Sequence, residues 1–155
     1  IPVTQQLIDI YDQYRQSVIA VEEVPWDKVN RYGIVGGTKL SDRILEVDQL
    51  VEKPDIDESP SNLAIAGRYI LTPAIFKALK QTARGKNNEI QLTDAIGYLH
   101  ERENIYSYTI EGKRYDIGNK LDYLKTMIEF GLKRPEFSEQ LSKFLENIVK
   151  PTLEK

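Results

Sequence analysis

The sequence predicts an α/β fold, a mixed sheet with flanking helices, and three observations carry that prediction. Val18, Ile19, Ala20 and Val21 form an almost continuous apolar run, which suits a strand covered on both faces. Shorter stretches, 45–47 and 105–110, alternate with period two and suit further strands. Around them, Leu92, Ile96 and Leu99, and later Leu121, Leu124, Ile128 and Leu132, recur at helical spacing.

In chain order, Leu7, Ile8, Tyr11 and Tyr14 share one face of an expected first helix that ends near Arg15, with Thr4 as its cap. The strand at 17–24 stops at Pro25. Strands are expected at 32–35 and 44–51, with Gly36-Gly37 as the reversal between them. Asp55 to Ser61 is a polar loop whose Asp55, Asp57 and Glu58 lack the glycine turn and distal glutamate of a calcium loop. A strand over 62–71 leads through Thr72-Pro73 into a helix ending near Gln81. The helix at 92–101 places His100 where the C-terminal dipole favours it, and one histidine without cysteine is a poor metal set. From Asn119 the pattern is helical to the end. Pro135 divides it, and Phe137, Leu141, Phe144, Leu145 and Ile148 form the second stripe.

The chain has 155 residues, enough for one domain with a real core, and a net charge of −3 with both signs intermixed. No basic face suggests nucleic acid and no polybasic stretch suggests a membrane. No apolar run approaches the roughly 20 residues of a membrane span. Cysteine is absent, which excludes disulfides, thiolate metal sites and thiol nucleophiles and fits a reducing compartment. There is no hexapeptide repeat of the kind a left-handed β-helix requires.

The most informative motif is Leu50-Val51-Glu52-Lys53-Pro54. Pro54 cannot donate to a ladder, so Glu52 and Lys53 are expected at a sheet rim. A carboxylate can accept two sugar hydroxyls, while an ammonium is a compact donor to phosphate oxygens. The pair therefore suits a sugar phosphate, although the tripeptide alone reads more readily as a solvated loop. Asp116, taken alone, reads as a turn residue or helix cap.

Four further segments accompany this motif: Tyr32-Gly33-Ile34, the run from Pro60 to Tyr69, the run from Asn88 to Ile96, and Tyr115-Asp116-Ile117-Gly118-Asn119-Lys120. With them the chain, from about Thr4 to about Pro135, resembles the C-terminal part of bacterial-type UTP:glucose-1-phosphate uridylyltransferases, also called UDP-glucose pyrophosphorylases. That resemblance implies the C-terminal portion of a Rossmann-like nucleotide-sugar transferase fold, with residues 1–118 as its sugar-phosphate-binding part and 119–155 as a C-terminal helical segment. The family's Gly-rich phosphate loop and first metal aspartate are expected ahead of Ile1, so an incomplete sheet with one unusually apolar edge and an isolated chain without activity are expected too.

The resemblance implies a reaction of carbohydrate metabolism in which glucose 1-phosphate and UTP yield UDP-glucose and pyrophosphate with Mg²⁺. Glu52 would hold glucose hydroxyls, Lys53 the phosphate, and Asp116 the metal, with Lys53 and Asp116 as the catalytic pair. Asn62 and Gly67 would line the sugar pocket, and Tyr32 and Gly33 its other wall. Glu89 and Asp94 are expected to be structural, because the reaction needs no general base. A cytoplasmic homo-oligomer with no nucleic-acid or membrane partner is expected. Two alternatives stand beside this reading: a nucleotidyltransferase for another sugar nucleotide, and a non-catalytic binding or assembly module.

Overall fold

The computed structural model describes residues 1–85, 88–115 and 117–153. They form two compact units, Ile1–Gly112 and Lys113–Lys155, which divide earlier in the chain than position 118. The first unit contains helix α1 (Val3–Tyr14), strands β1 (Ser17–Glu23), β2 (Gly33–Lys39), β3 (Ile44–Glu52) and β4 (Leu63–Ile70), helices α2 (Ile75–Gln81) and α3 (Leu92–His100), and strand β5 (Ile105–Thr109). The second contains helices α4 (Lys120–Leu132) and α5 (Ser138–Leu153).

The sheet is mixed: β1 runs parallel to β5, and every other pairing is antiparallel. Its strand order β1-β4-β2-β3-β5 closes on itself, since β5 pairs with both β3 and β1. This corrects the expected open apolar edge. Among the described strands each has two neighbours, and closure removes the unpaired backbone groups an edge would present.

β1 explains its own sequence. Ile19 and Val21 pack with Val35, Val47 and Ile105 against α2 and α3, while Val18 and Ala20 point the other way onto Leu7 and Ile10 of α1. Both faces are covered, so alternation disappears and a continuous apolar run remains. Each such valine, leucine or isoleucine contributes about 1.5–3 kcal/mol by leaving water.

Polar side chains tie the layers together. Buried Gln6 on α1 donates from Nε2 to the Glu111 carbonyl (3.0 Å) and accepts from the Glu111 amide (2.8 Å), clamping the end of β5. At the start of the sheet, Glu103 accepts hydrogen bonds from Ser17 Oγ (2.8 Å) and Thr72 Oγ1 (2.8 Å), joining three connections at one carboxylate.

Three local expectations need correction. Thr4 lies inside α1, which starts after Pro2 without a side-chain cap. Gly36-Gly37 is not a reversal, for β2 continues through it with a register shift, and the chain turns at 40–43, where Ser41 Oγ accepts from the Ile44 amide (3.1 Å). The glycines are there because of close approach: a Cβ on Gly37 would stand 2.0 Å from the Glu46 carbonyl oxygen, and one on Gly36 2.7 Å from Pro60. Thr72 does not cap α2, since its hydroxyl is spent on Glu103.

In the second unit the helix expected from Asn119 begins as α4, and Asn119 caps it, its Oδ1 accepting from the amides of Leu121 (2.9 Å) and Asp122 (3.1 Å). Tyr115 is held against α4: its hydroxyl donates to Glu129 Oε2 (3.0 Å) and its ring lies edge-on to Phe130. Lys113 also bonds Glu129. That hydrogen bond, followed by the one from Tyr115, lowers the Glu129 pKa.

Candidate sugar-phosphate site

The site is built where β3 ends. Glu52, its last residue, pairs with Gly33 at the start of β2, and the Lys53 amide adds one more bond to the Tyr32 carbonyl (2.9 Å). In an extended strand, neighbouring side chains point to opposite faces. Lys53 breaks that rule with a left-handed φ of 50°, which turns its ammonium back to within 3.7 Å of Glu52 Oε1. A non-glycine residue in this region is conformationally costly, more so before a proline. With the Lys53 amide bonded to Tyr32, that conformation produces a carboxylate and an ammonium on one side of the rim.

Glu52 is held from behind. Thr93, in the first turn of α3 and 8% exposed, donates from Oγ1 to Glu52 Oε2 (2.8 Å). A Cβ on Gly33 would stand 3.0 Å from Glu52 Oε2, 3.0 Å from Ile65 Cδ1 and 3.1 Å from Thr93 Oγ1. Glycine here makes room for the carboxylate. Its charge is felt by Tyr69 on β4, whose phenol pKa is raised, first by burial and then by Glu52.

The structure thus brings Glu52, Lys53, Gly33 and the Tyr32 backbone together, while the Tyr32 ring packs with Val24, Val29, Ile34 and Ala64. Asn62 is elsewhere. It lies three positions along the chain from Ile65, roughly 10 Å at strand spacing, and its Nδ2 donates to the Val24 carbonyl (3.1 Å). It lines a separate depression of about 210 Å³ with Lys39, Asp42 and Arg43. Gly67 sits in a bulge of β4, where its φ of 72° favours glycine and the space above its Cα is open. Asp116 lies outside the described residues. Among those described, no three Asp, Glu, His or Cys side chains gather as a metal site.

Sequence reasoning missed Thr93 and Tyr69 as neighbours of Glu52. Both stood inside quoted motifs, but the only available signal was a threonine at a helix start, which ordinarily reads as a cap. Thr93 also lines a cavity of about 370 Å³ with Leu50, Arg84, Asp94 and Tyr98.

This fold and rim define a class. The family model for nucleotidyl transferases matches residues 3–131, and the chain belongs to that family. It is similar to the UTP--glucose-1-phosphate uridylyltransferase of Staphylococcus epidermidis, 46% identical over 147 residues that cover 95% of this chain and 51% of that protein. It is similar as well to the UTP--glucose-1-phosphate uridylyltransferase YngB of Bacillus subtilis, 44% identical over 149 residues covering 96% of this chain and 50% of the relative. A crystal structure of UDP-glucose pyrophosphorylase complexed with UDP-glucose superposes with a TM-score of 0.81 at 43% identity, covering 85% of this chain and 50% of the other. The chain spans about half the length of the curated relatives it matches. No described helix is long and apolar enough to cross a membrane.

Proposed function

We propose that this chain supplies the sugar-phosphate side of a UTP:glucose-1-phosphate uridylyltransferase of the cytoplasm. The observation that carries the reading is the Glu52–Lys53 pair, turned to one side of the rim by the left-handed backbone at Lys53. Glu52 accepts hydrogen bonds from glucose hydroxyls, and Lys53 lies against the phosphate. A phosphate oxygen of glucose 1-phosphate forms a bond to the α-phosphorus of UTP as the bond from that phosphorus to the β-phosphate's bridging oxygen breaks, and pyrophosphate leaves with the electron pair. The attacking oxygen is already anionic, so no base is required. What the protein supplies is alignment of two anions and neutralisation of their charge.

Asp116 is the residue proposed to hold Mg²⁺, which would neutralise phosphate charge. Magnesium commonly divides its coordination between one or two carboxylates and substrate phosphates, and Asp116 would supply a carboxylate of that set. Gly67 and Gly33 are proposed to border the sugar. Asn62 has the weakest claim, because its amide is engaged with the Val24 backbone. The apolar side chains exposed on α4 and α5, among them Leu121, Leu124 and Phe144, suit association with further protein surface, and a homo-oligomer is proposed.

The test is nucleotide-sugar formation by the whole enzyme, assayed with UTP or dTTP against glucose 1-phosphate or N-acetylglucosamine 1-phosphate. UTP with glucose 1-phosphate should be the preferred pair and should require Mg²⁺. Preference for another pair would replace this reading with a different nucleotidyltransferase. The 155-residue chain alone, which contains no Gly-rich phosphate loop, should release no pyrophosphate.

A further inference from the structure

We infer that Thr93 is a positioning residue for the Glu52 carboxylate, holding Oε2 so that Oε1 is the oxygen presented to the sugar. The inference rests on the reading of Glu52 as the sugar ligand.

The two carboxylate oxygens are not equivalent. Oε2 accepts from Thr93 Oγ1 at 2.8 Å and fills the space that a Cβ on Gly33 would need, whereas Oε1 lies on the Lys53 side, 3.7 Å from the ammonium. A glutamate side chain has three rotatable bonds, and at a strand terminus nothing in the backbone fixes the last of them. The donor that fixes it must be rigid. Thr93 is rigid because α3 is locked to the sheet by Ala95, Ile96 and Leu99, all buried in the main core, and because Thr93 itself is only 8% exposed. The Glu52 side chain is 20% exposed, so the carboxylate remains reachable after one oxygen is committed.

Orientation matters for this chemistry. A carboxylate that accepts sugar hydroxyls binds more tightly when its plane is set before the sugar arrives, because the ordering cost is then not charged against binding. Without the hydroxyl, the carboxylate would sample several rotamers, and some would turn toward Lys53 and withdraw the ammonium from phosphate.

The experiment compares the 155-residue chain with its Thr93→Val and Thr93→Ser variants, each ¹³C-labelled at glutamate, by side-chain coupling constants and carboxyl-carbon shift at Glu52. A parallel chemical-shift titration uses glucose 1-phosphate. In Thr93→Val the Glu52 couplings should collapse toward rotamer averages, while Thr93→Ser should keep the parental values. Glucose 1-phosphate affinity should fall about tenfold in the valine variant and recover in the serine variant, the size expected for one hydrogen bond to a charged group. Unchanged Glu52 couplings in a folded Thr93→Val variant would overturn the inference. Absence of glucose 1-phosphate binding by the parental chain would count against the sugar assignment, while the couplings would still decide the role of Thr93.

Discussion

Gly33 lies directly opposite Glu52 in the β2–β3 ladder, and a methyl group on its Cα would stand 3.0 Å from Glu52 Oε2. The two nearest atoms, Glu52 Oε2 and Ile65 Cδ1, are ends of flexible side chains, which can yield by a few tenths of an ångström. Gly33→Ala should therefore cost only about 1 kcal/mol of stability. The carboxylate, however, must move. In the whole enzyme the KM for glucose 1-phosphate should rise severalfold while the KM for UTP stays put, with urea unfolding as the control for stability.

Tyr69 reports on the same carboxylate. Its phenol pKa is raised by burial and, secondarily, by the charge of Glu52. The neutral phenol is thus favoured in the folded state. The stability it contributes is present below the ordinary tyrosine pKa of about 10 and is lost as pH rises through the higher folded value. Glu52→Gln removes the secondary cause and leaves the burial. The Tyr69 titration, followed by ¹³C-tyrosine NMR, should move part of the way down toward the ordinary value, and the alkaline loss of stability, which still begins near the ordinary value, should be smaller and complete at lower pH.

Glu103 makes a contrasting prediction, since it ties Ser17 and Thr72 at the start of the sheet and is not among the residues proposed to meet the sugar phosphate. Glu103→Ala leaves the buried Ser17 hydroxyl and the Thr72 hydroxyl without their acceptor. Urea denaturation should show a loss of roughly 2–3 kcal/mol, with a smaller loss for Glu103→Gln, which retains an acceptor. Glucose 1-phosphate kinetics should be parental in both.

Much of the fold was legible because burial leaves a pattern in the chain. The run from Val18 to Val21 announces a strand with both faces covered, and the apolar stripe that begins after Asn119 announces α4. Gly36-Gly37 was misread because a glycine pair serves a turn and a close backbone approach equally well, and only the distance to Glu46 distinguishes them. Closure of the sheet was invisible for a different reason: the β3–β5 and β1–β5 pairings join segments far apart in sequence, which local periodicity does not encode. The site divides the same way. Glu52 and Lys53 are adjacent residues and could be read as a unit. Thr93 acts across 41 positions, and neither its type nor its spacing reveals its partner.

The central claim is that Glu52 and Lys53 divide the sugar phosphate between them, and steady-state kinetics of the whole enzyme carrying Glu52→Ala test it most directly, with glucose 1-phosphate and UTP varied separately. Loss of a charge-assisted contact to sugar hydroxyls should raise the KM for glucose 1-phosphate at least about tenfold and leave the KM for UTP within about twofold. A parental KM for glucose 1-phosphate in a folded Glu52→Ala enzyme would contradict the account.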